Sequence, residues 1–395
     1  MNPTPPPATP LPASLRLGPV YLRVRQLSRA LAFYRDRLGL VPVPVPRPGE
    51  REPAVDPDEH RQNGGAAAPG AAVHGPAGFR RDAEPRGGAA VVTGLAGRAG
   101  EPPLICLEED PGAPPRPPRT TGLYHVALLY PSRGALARAF LRLLECGWRF
   151  QGFADHGVSE ALYLADPEGN GLELYCDRPR DRWPRRPDGT IAMYTAPLDL
   201  DDLAATALVA SAGRSRSGAA PGNGARAGNT PRAAVATPSR PGRGSTPHGH
   251  PNQPSAVPQA GDGAVDQAPD EGPDDGPVVG HVHLQVASLA AAEAFYCGVL
   301  GFEVTQRDFP GALFVAAGGY HHHLGLNIWA GEGAPPPPPG AAGLAGFTLA
   351  LPGEAALATV LERIQRAGLE ARPSPRGWTV LDPSGIPVHL TAPPA

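Results

Sequence analysis

The chain has 395 residues, of which 53 are proline and 50 are glycine, so a large part of it cannot lie within helices or strands. Its 35 lysines and arginines nearly balance 38 aspartates and glutamates, and no basic segment alternates with aromatic residues, so nothing indicates a nucleic-acid or anionic-membrane partner. The four cysteines include no C-x-x-C pair, which excludes a disulfide framework and a thiolate zinc site and favours a reducing cytosol.

The N-terminal segment and two internal tracts show no pattern of regular structure. The first residues, MNPTPPPATPLPAS, lack the basic and apolar regions of a signal peptide, and no apolar run approaches the roughly 20 residues of a membrane span. A cytoplasmic location is therefore expected. Residues from about 46 to 100 and from about 210 to 277 are rich in Gly, Pro, Ala, Ser and Arg, and we predict a disordered insertion and a disordered linker there.

The rest of the chain repeats one pattern four times. Each repeat has an alternating strand, a short turn and an amphipathic helix that ends near a glycine, and further strands follow. D-P-x-G turns at Asp166 and Asp382 predict hairpins between the last strands of the second and fourth repeats. We predict an α+β protein of four βαβββ modules, at residues 15–110 with the insertion, 119–200, 278–332 and 343–392. Their first strands begin near Pro19, His125, His281 and Phe347.

Two short motifs recur within these modules. The helices of modules one and three contain F-Y followed by L-G, and the last hairpin of module two reads D-P-x-G-N-x-x-E. In these features the chain resembles the vicinal-oxygen-chelate superfamily, which includes glyoxalases, bleomycin-resistance proteins and extradiol dioxygenases of the catechol 2,3-dioxygenase kind. The resemblance implies that paired modules form two cup-shaped sheets, with metal ligands from the first strand of each partner and the last strand of one.

Candidate metal ligands fall in modules two and three. Both carry a histidine at the first-strand ligand position, His125 and His281, and module two has Glu173 seven residues after the hairpin aspartate. Two imidazoles and one carboxylate form the facial triad suited to Fe(II), with Mn(II) as an alternative. His283 lies two residues from His281 on the same strand face and is its rival for the ligand role.

Modules one and four do not offer such a set. At the equivalent first-strand positions they carry Pro19 and Phe347, and at the last-strand position module four has a lone His389. We therefore expect module two to pair with module three, and module one with module four. The second pair is expected to be a structural half.

The segment from Asp155 to Tyr175 is similar to the extradiol dioxygenase signature. A histidine, His156, precedes a hydrophobic residue and Tyr163, and an acidic residue with proline then precedes the glutamate. Ala154 departs from the signature, which prefers other residues two positions before the histidine. The resemblance implies that His156 and Tyr163 hydrogen-bond the oxygens of a metal-bound substrate.

The last strand of module three begins with three consecutive histidines in the run YHHHLGLNIW. In extradiol enzymes a histidine two residues before an aliphatic and small triplet acts on the substrate, which points to His322 as the group that accepts and returns a proton. On a strand, alternation would direct His321 and His323 away from His322.

The resemblance implies an Fe(II)-dependent extradiol dioxygenase that cleaves catechol or a substituted catechol with O2 to a hydroxymuconic semialdehyde. A glyoxalase-type metal-dependent isomerase or lyase is a second hypothesis, which a Glu or Gln on the last strand of module three would favour, although that strand has histidines and Asn327. A bleomycin-resistance-like protein that binds a small ligand without metal is a third. The expected partners are a small aromatic diol and O2, and the sequence leaves open whether the chain forms a homo-oligomer.

Overall fold

The computed structural model describes residues 9–45, 92–207 and 276–393. Almost all of the predicted insertion, at about 46–100, and of the predicted linker, at about 210–277, lies outside the described residues. The C-terminal end of the insertion prediction is wrong, because Val92–Ala96 forms a strand in which Leu95 is fully buried. Gly94 interrupts this short apolar run and hides it from pattern analysis, and a Cβ there would lie 2.9 Å from the Val43 carbonyl oxygen of the neighbouring strand.

One sheet of eight strands combines modules one and four. The two modules join where their first strands pair antiparallel. Module one contributes β1 (Arg16–Val24), β2 (Val41–Val43), β3 (Val92–Ala96) and β4 (Ile105–Glu109), and β13 (Gly343–Ala350), β14 (Arg372–Ser374), β15 (Gly377–Leu381) and β16 (Pro387–Thr391) come from module four. The order across this first sheet is β14, β15, β16, β13, β1, β4, β3, β2.

A second sheet of eight strands combines modules two and three in the same way. Module two contributes β5 (Gly122–Leu129), β6 (Phe150–Asp155), β7 (Ser159–Ala165) and β8 (Gly171–Asp177), and module three contributes β9 (Val278–Gln285), β10 (Glu303–Gln306), β11 (Ala312–Ala316) and β12 (Leu324–Asn327). The order is β10, β11, β12, β9, β5, β8, β7, β6. The α+β class and the pairing of modules two with three and one with four are therefore confirmed.

Each module has one helix after its first strand. Ser132 accepts a hydrogen bond from the Ala135 N–H at 3.2 Å and so caps the start of the second helix. The third helix ends at Gly301, whose φ of 98° is readily adopted by glycine. No helix among the described residues is long and apolar enough to cross a membrane. These four module helices are α1 (Leu27–Tyr34), α2 (Arg133–Glu145), α3 (Leu289–Glu293, continued by a π-helical turn over Ala294–Leu300) and α4 (Glu354–Arg366).

Two buried hydrogen bonds join the two sheets and explain the repeated motifs. The Tyr34 hydroxyl of the F-Y pair in module one donates to Asp166 in the hairpin of module two at 3.0 Å. The Tyr296 hydroxyl of module three donates to Asp382 of module four, also at 3.0 Å. Both aspartates also accept backbone N–H groups of their own hairpins. Each F-Y motif thus binds a D-P hairpin of the other sheet.

Candidate metal centre

The centre of the second sheet places four polar side chains on one face. β5 lies between β8 and β9, and Ala127 of β5 is paired with Glu173 on one side and with His281 on the other. Two residues earlier on β5, His125 is paired with His283. Because side chains alternate along a strand, all four project from the same face, whereas the intervening residues pack into the apolar core.

Three of these side chains converge on one point. The Nε2 atom of His125 lies 2.9 Å from Oε2 of Glu173, and Nε2 of His281 lies 3.1 Å from the same oxygen. The three potential ligand atoms lie within 4.8 Å of one another. Among the described residues, this is the one group of three or more His, Cys, Asp or Glu side chains that could hold a metal ion. Each residue is almost fully buried.

The ionisation of the cluster suits a cation. Burial alone would raise the pKa of Glu173, but the charges of His281 and His125 and the hydrogen bond from His281 outweigh it and hold the pKa well below its usual value. Burial lowers the pKa of His281, although Glu173 opposes this. An ionised carboxylate and a neutral imidazole are the forms in which these side chains bind a metal ion.

The local geometry also fits a shared metal ion better than an ion pair. Nε2 of His125 is buried and close to Glu173, yet it makes no hydrogen bond with acceptable geometry to any described residue. A lone pair on that nitrogen could instead point at a cation bound by the same carboxylate oxygen. Two imidazole nitrogens and one carboxylate oxygen form the donor set that suits non-haem Fe(II).

His283 lies beside the cluster but outside it. Its ring centroid is 4.9 Å from that of His125, and its neighbours on the other sides are the rings of Tyr124, Phe314 and Trp329. Burial lowers its pKa well below the usual value, and its Nε2 has no hydrogen-bond partner among the described residues. The structure therefore brings His281, and not His283, to the glutamate.

The next strand adds a hydrogen-bonded pair beside the cluster. Tyr163 of β7 is paired with Glu173 of β8, and its hydroxyl lies 2.8 Å from Nε2 of His156. Nδ1 of His156 lies 2.9 Å from the Tyr194 carbonyl oxygen, which can only accept, so this nitrogen carries the proton and Nε2 accepts from the tyrosine. Burial and then the charge of Glu173 raise the pKa of Tyr163 well above its usual value. His156 and Tyr163 thus lie together, where the signature puts them.

His322 lies on the opposite side of the cluster. Its ring centroid is 4.2 Å from that of His281 and 5.0 Å from that of Phe314. Burial lowers its pKa well below the usual value, and the charges of neighbouring histidines act in the same direction. His281 therefore has Glu173 on one side and His322 on the other.

The expectation that His321 faces away from His322 is wrong. β12 begins only at Leu324, so strand alternation does not apply to the three histidines. Nδ1 of His321 lies 2.8 Å from Nδ1 of His322, and Nε2 of His321 lies 2.9 Å from Oδ1 of Asp177. The sequence analysis did not identify Asp177, although its place four residues after Glu173 on β8 gave a signal, because strand residues four apart share a face.

The first sheet has no equivalent cluster among its described residues. His389 is paired with Thr348 as Glu173 is with Ala127, and its Nδ1 is 2.9 Å from the Thr379 hydroxyl. On β13, the position equivalent to His125 of β5 is occupied by Gly346, which pairs with Tyr21 of β1.

The assignment of Phe347 to the ligand position of module four was wrong by one residue. Phe347 pairs with Val20 and is fully buried in the apolar core on the other face of the sheet. A one-residue shift along a strand moves a side chain to the opposite face. The number of residues between the first strand and the end of the helix, on which the alignment of the modules rested, could not fix this position because turns and helices differ in length between modules.

Comparisons with known proteins agree with this architecture. The model of the Glyoxalase/Bleomycin resistance protein/Dioxygenase superfamily matches residues 16–174 and 278–390. Over 283 residues the chain is 38% identical to Catechol-2,3-dioxygenase of Bacillus subtilis (strain 168). The matched region covers 71% of this chain and 78% of that protein. Over 66 residues it is 41% identical to Biphenyl-2,3-diol 1,2-dioxygenase 3 of Rhodococcus globerulus, 17% of this chain and 35% of that protein.

A solved structure supports the fold alone. The crystal structure of a dioxygenase candidate from Bacillus subtilis subsp. subtilis str. 168 superposes with a TM-score of 0.51 over 98% of this chain and 87% of that one. The two chains are 11% identical in this superposition.

Proposed function

Because the chain belongs to the Glyoxalase/Bleomycin resistance protein/Dioxygenase superfamily and is a dioxygenase by its similarity to extradiol enzymes, we propose that it cleaves catechol or a substituted catechol by an Fe(II)-dependent extradiol reaction. The product would be a hydroxymuconic semialdehyde. The ring bond beside the diol breaks, and both atoms of O2 enter the product. The substrates are then a small aromatic diol and O2.

One observation carries this proposal: His125, His281 and Glu173 converge on a single buried point from three adjacent strands. These residues would hold the metal ion through two Nε2 atoms and one carboxylate oxygen. Bound there, divalent iron would bring the diol and O2 side by side and mediate the transfer of electrons between them. Three protein ligands leave room in the coordination sphere for both reactants.

The flanking side chains would handle the protons of the diol. His322, next to His281, is the proposed base that takes a proton from one substrate hydroxyl and returns it as the ring opens. On the other side, the hydroxyl of Tyr163 donates to His156, and this pair is proposed to hold the second substrate oxygen. The rings of Phe314 and Trp329 pack against His283 beside the cluster and would limit the access of water to this face.

No observation favours the alternatives that the sequence left open. A glyoxalase-type isomerase or lyase would take a further ligand from the last strand of module three. Asn327 on β12 is the amide there, and its Oδ1 already accepts the Trp329 N–H at 3.0 Å. A metal-free binding protein of the bleomycin-resistance kind would give no reason for a carboxylate to lie against two imidazoles in an apolar interior.

Anaerobic reconstitution with Fe(II), followed by catechol and air, tests the proposal through the yellow ring-cleavage product. The wild-type chain should bind one iron and form the product. Glu173→Ala should lose more activity than the roughly 10–100-fold typical of removing an outer-shell partner. His389→Gln, at the equivalent position of the first sheet, is the matched control and should keep wild-type activity.

Two outcomes would overturn the proposal. A chain that binds iron tightly yet forms no ring-cleavage product from catechol or alkyl-substituted catechols is not an extradiol dioxygenase. A chain that binds no metal, with the unfolding transition of a folded protein, would remove the metal centre itself.

A further inference from the structure

We propose that Asp177 and His321 are positioning residues that hold His322 in the tautomer with a free lone pair on Nε2. The inference rests on the proposed function, in which His322 accepts a proton from the diol. Two residues that do not contact the substrate would thus control which nitrogen of the proposed base carries its proton.

A continuous chain of short contacts leads from the cluster towards the surface. Nδ1 of His322 is 2.8 Å from Nδ1 of His321, whose Nε2 is 2.9 Å from Oδ1 of Asp177. The other oxygen of Asp177 accepts the hydroxyl of Tyr320 at 2.9 Å, and Tyr175 donates in turn to Tyr320 at 2.9 Å. His321 is fully buried, whereas the side chain of Asp177 is 24% exposed.

The donor and acceptor roles in this chain follow from the chemistry of the groups. An aspartate carboxylate only accepts, so Nε2 of His321 carries a proton and donates to it. A neutral His321 then has a lone pair on Nδ1. The Nδ1 of His322 at 2.8 Å must therefore be the donor. A neutral His322 with its proton on Nδ1 presents a lone pair at Nε2, on the ring edge away from His321.

The opposite assignment needs a doubly protonated His321, which would donate to His322 and leave the proton of His322 on Nε2. The ring of His321 is fully buried, and its centroid is 6.4 Å from that of His281. The Asp177 carboxylate would offset part of the charge of such a cation, but the proposed metal ion beyond His281 would repel it across a buried, low-dielectric space. The neutral form of His321 avoids this cost.

The surroundings of His321 fix its ring in place. The ring of Tyr320 lies 4.0 Å away and that of Trp183 lies 5.3 Å away, as measured between centroids. Arg180 lies over both aromatic rings, 5.4 Å from the Trp183 centroid and 5.7 Å from the Tyr320 centroid. Because the aromatic packing and the aspartate act on the same imidazole, the ring cannot rotate without losing both sets of contacts.

The tautomer of His322 can be measured directly by ¹⁵N NMR of the full-length protein labelled at histidine nitrogens. Spectra would be recorded without added metal and with Zn(II), which is diamagnetic, and His322→Gln would assign the resonance. We expect the proton of His322 on Nδ1. In His321→Phe, which keeps a ring but removes the acceptor, we expect it to move to Nε2. Tyr320→Phe keeps Asp177 and His321 and should leave the tautomer unchanged.

Kinetics supply a second readout. His321→Phe should lower kcat by roughly 10–100-fold with little change in KM. His321→Gln, whose amide can both donate to Asp177 and accept from His322, should recover part of the loss. A His322 protonated on Nε2 in the wild-type chain, or an unchanged tautomer in His321→Phe, would overturn the positioning role.

The two proposals can fail separately. Ring cleavage by a chain whose His322 is protonated on Nε2 contradicts the positioning role alone. A chain with the expected tautomer that does not cleave catechol contradicts the proposed function alone, because the NMR measurement does not depend on turnover.

Discussion

Two histidines of β9 show what a single residue position decides. His281 and His283 face the same side of the second sheet, so the alternating pattern of the strand could not choose between them. The register chooses: His281 is next to Ala127, in line with Glu173, whereas His283 is next to His125 and is enclosed by aromatic rings. The distance of His281 from Glu173, 3.1 Å, supports it as the ligand.

Alanine substitutions at these two histidines should therefore have unequal effects on metal binding. We expect His281→Ala to weaken Fe(II) binding by more than about 100-fold, because a direct ligand should cost more than an outer-shell partner. His283→Ala should weaken it by less than about tenfold. Anaerobic titration against a chromophoric chelator measures both affinities. Equal losses, or a larger loss for His283→Ala, would show that the metal ion is bound elsewhere on β9.

At the scale of elements, a tyrosine in one helix of each module pair hydrogen-bonds the aspartate of a hairpin in the other sheet. Tyr34 follows a phenylalanine at the end of α1, and Asp166 begins the hairpin between β7 and β8 in the other sheet. Burial raises the pKa of Asp166, while hydrogen bonds from Asn170, Tyr34 and Glu168 oppose this. The tyrosine hydroxyl thus supplies one of the few donors that reach this buried carboxyl group.

Removing that hydroxyl should destabilise the protein without affecting the metal site. Tyr34→Phe should lower the free energy of unfolding by about 1.5–3 kcal/mol, the range for a hydrogen bond to a charged group. Denaturant unfolding followed by circular dichroism measures the change. Tyr130→Phe is the matched control, because the buried hydroxyl of Tyr130 has no partner among the described residues and its loss should cost little. Equal losses in the two variants would mean that the motif contributes only packing.

At the scale of the whole molecule, buried histidines make folding sensitive to acid. Burial lowers the pKa of His389 in the first sheet to about 4, and the charge of Arg376 adds to the effect. In the unfolded chain a histidine takes up its proton near pH 6.5. Between about pH 6.5 and pH 4 the unfolded chain therefore binds more protons at this histidine than the folded chain does, so acidification lowers the free energy of unfolding. The stabilisation that the neutral His389 provides at pH 7 is fully lost only below pH 4.

His389→Gln should make the unfolding free energy less dependent on pH. A neutral amide keeps a polar contact with Thr379 but takes up no proton in this range. Between pH 7 and pH 5 the wild-type chain should lose about 2 kcal/mol more than the variant, as linkage requires for a shift from 6.5 to about 4. Urea unfolding at several pH values, with no added metal, gives both curves. Parallel curves would show that His389 keeps an ordinary proton affinity when folded.

Periodicity and spacing predicted the class of fold, whereas the pairing of modules and the candidate site followed from the resemblance to the vicinal-oxygen-chelate superfamily. Alternation placed His125 and Glu173 on strands, and the repeat showed that histidines at the first-strand position occur in modules two and three. The fold-class prediction depends on local chemistry: which side chains a strand or helix can bury, and which residues form a turn. It needs no knowledge of how distant strands meet.

The contacts that depend on strand register, and those made by residues outside regular strands, became visible only in the folded chain. It places His281, and not His283, against Glu173, puts Gly346 instead of Phe347 at the position equivalent to His125, and brings His321 against His322 and Asp177. A shift of one residue along a strand reverses the face, and residues before a strand follow no alternation. Local sequence patterns therefore indicate which side chains are available for the site, while the pairing of strands from different modules controls which of them meet.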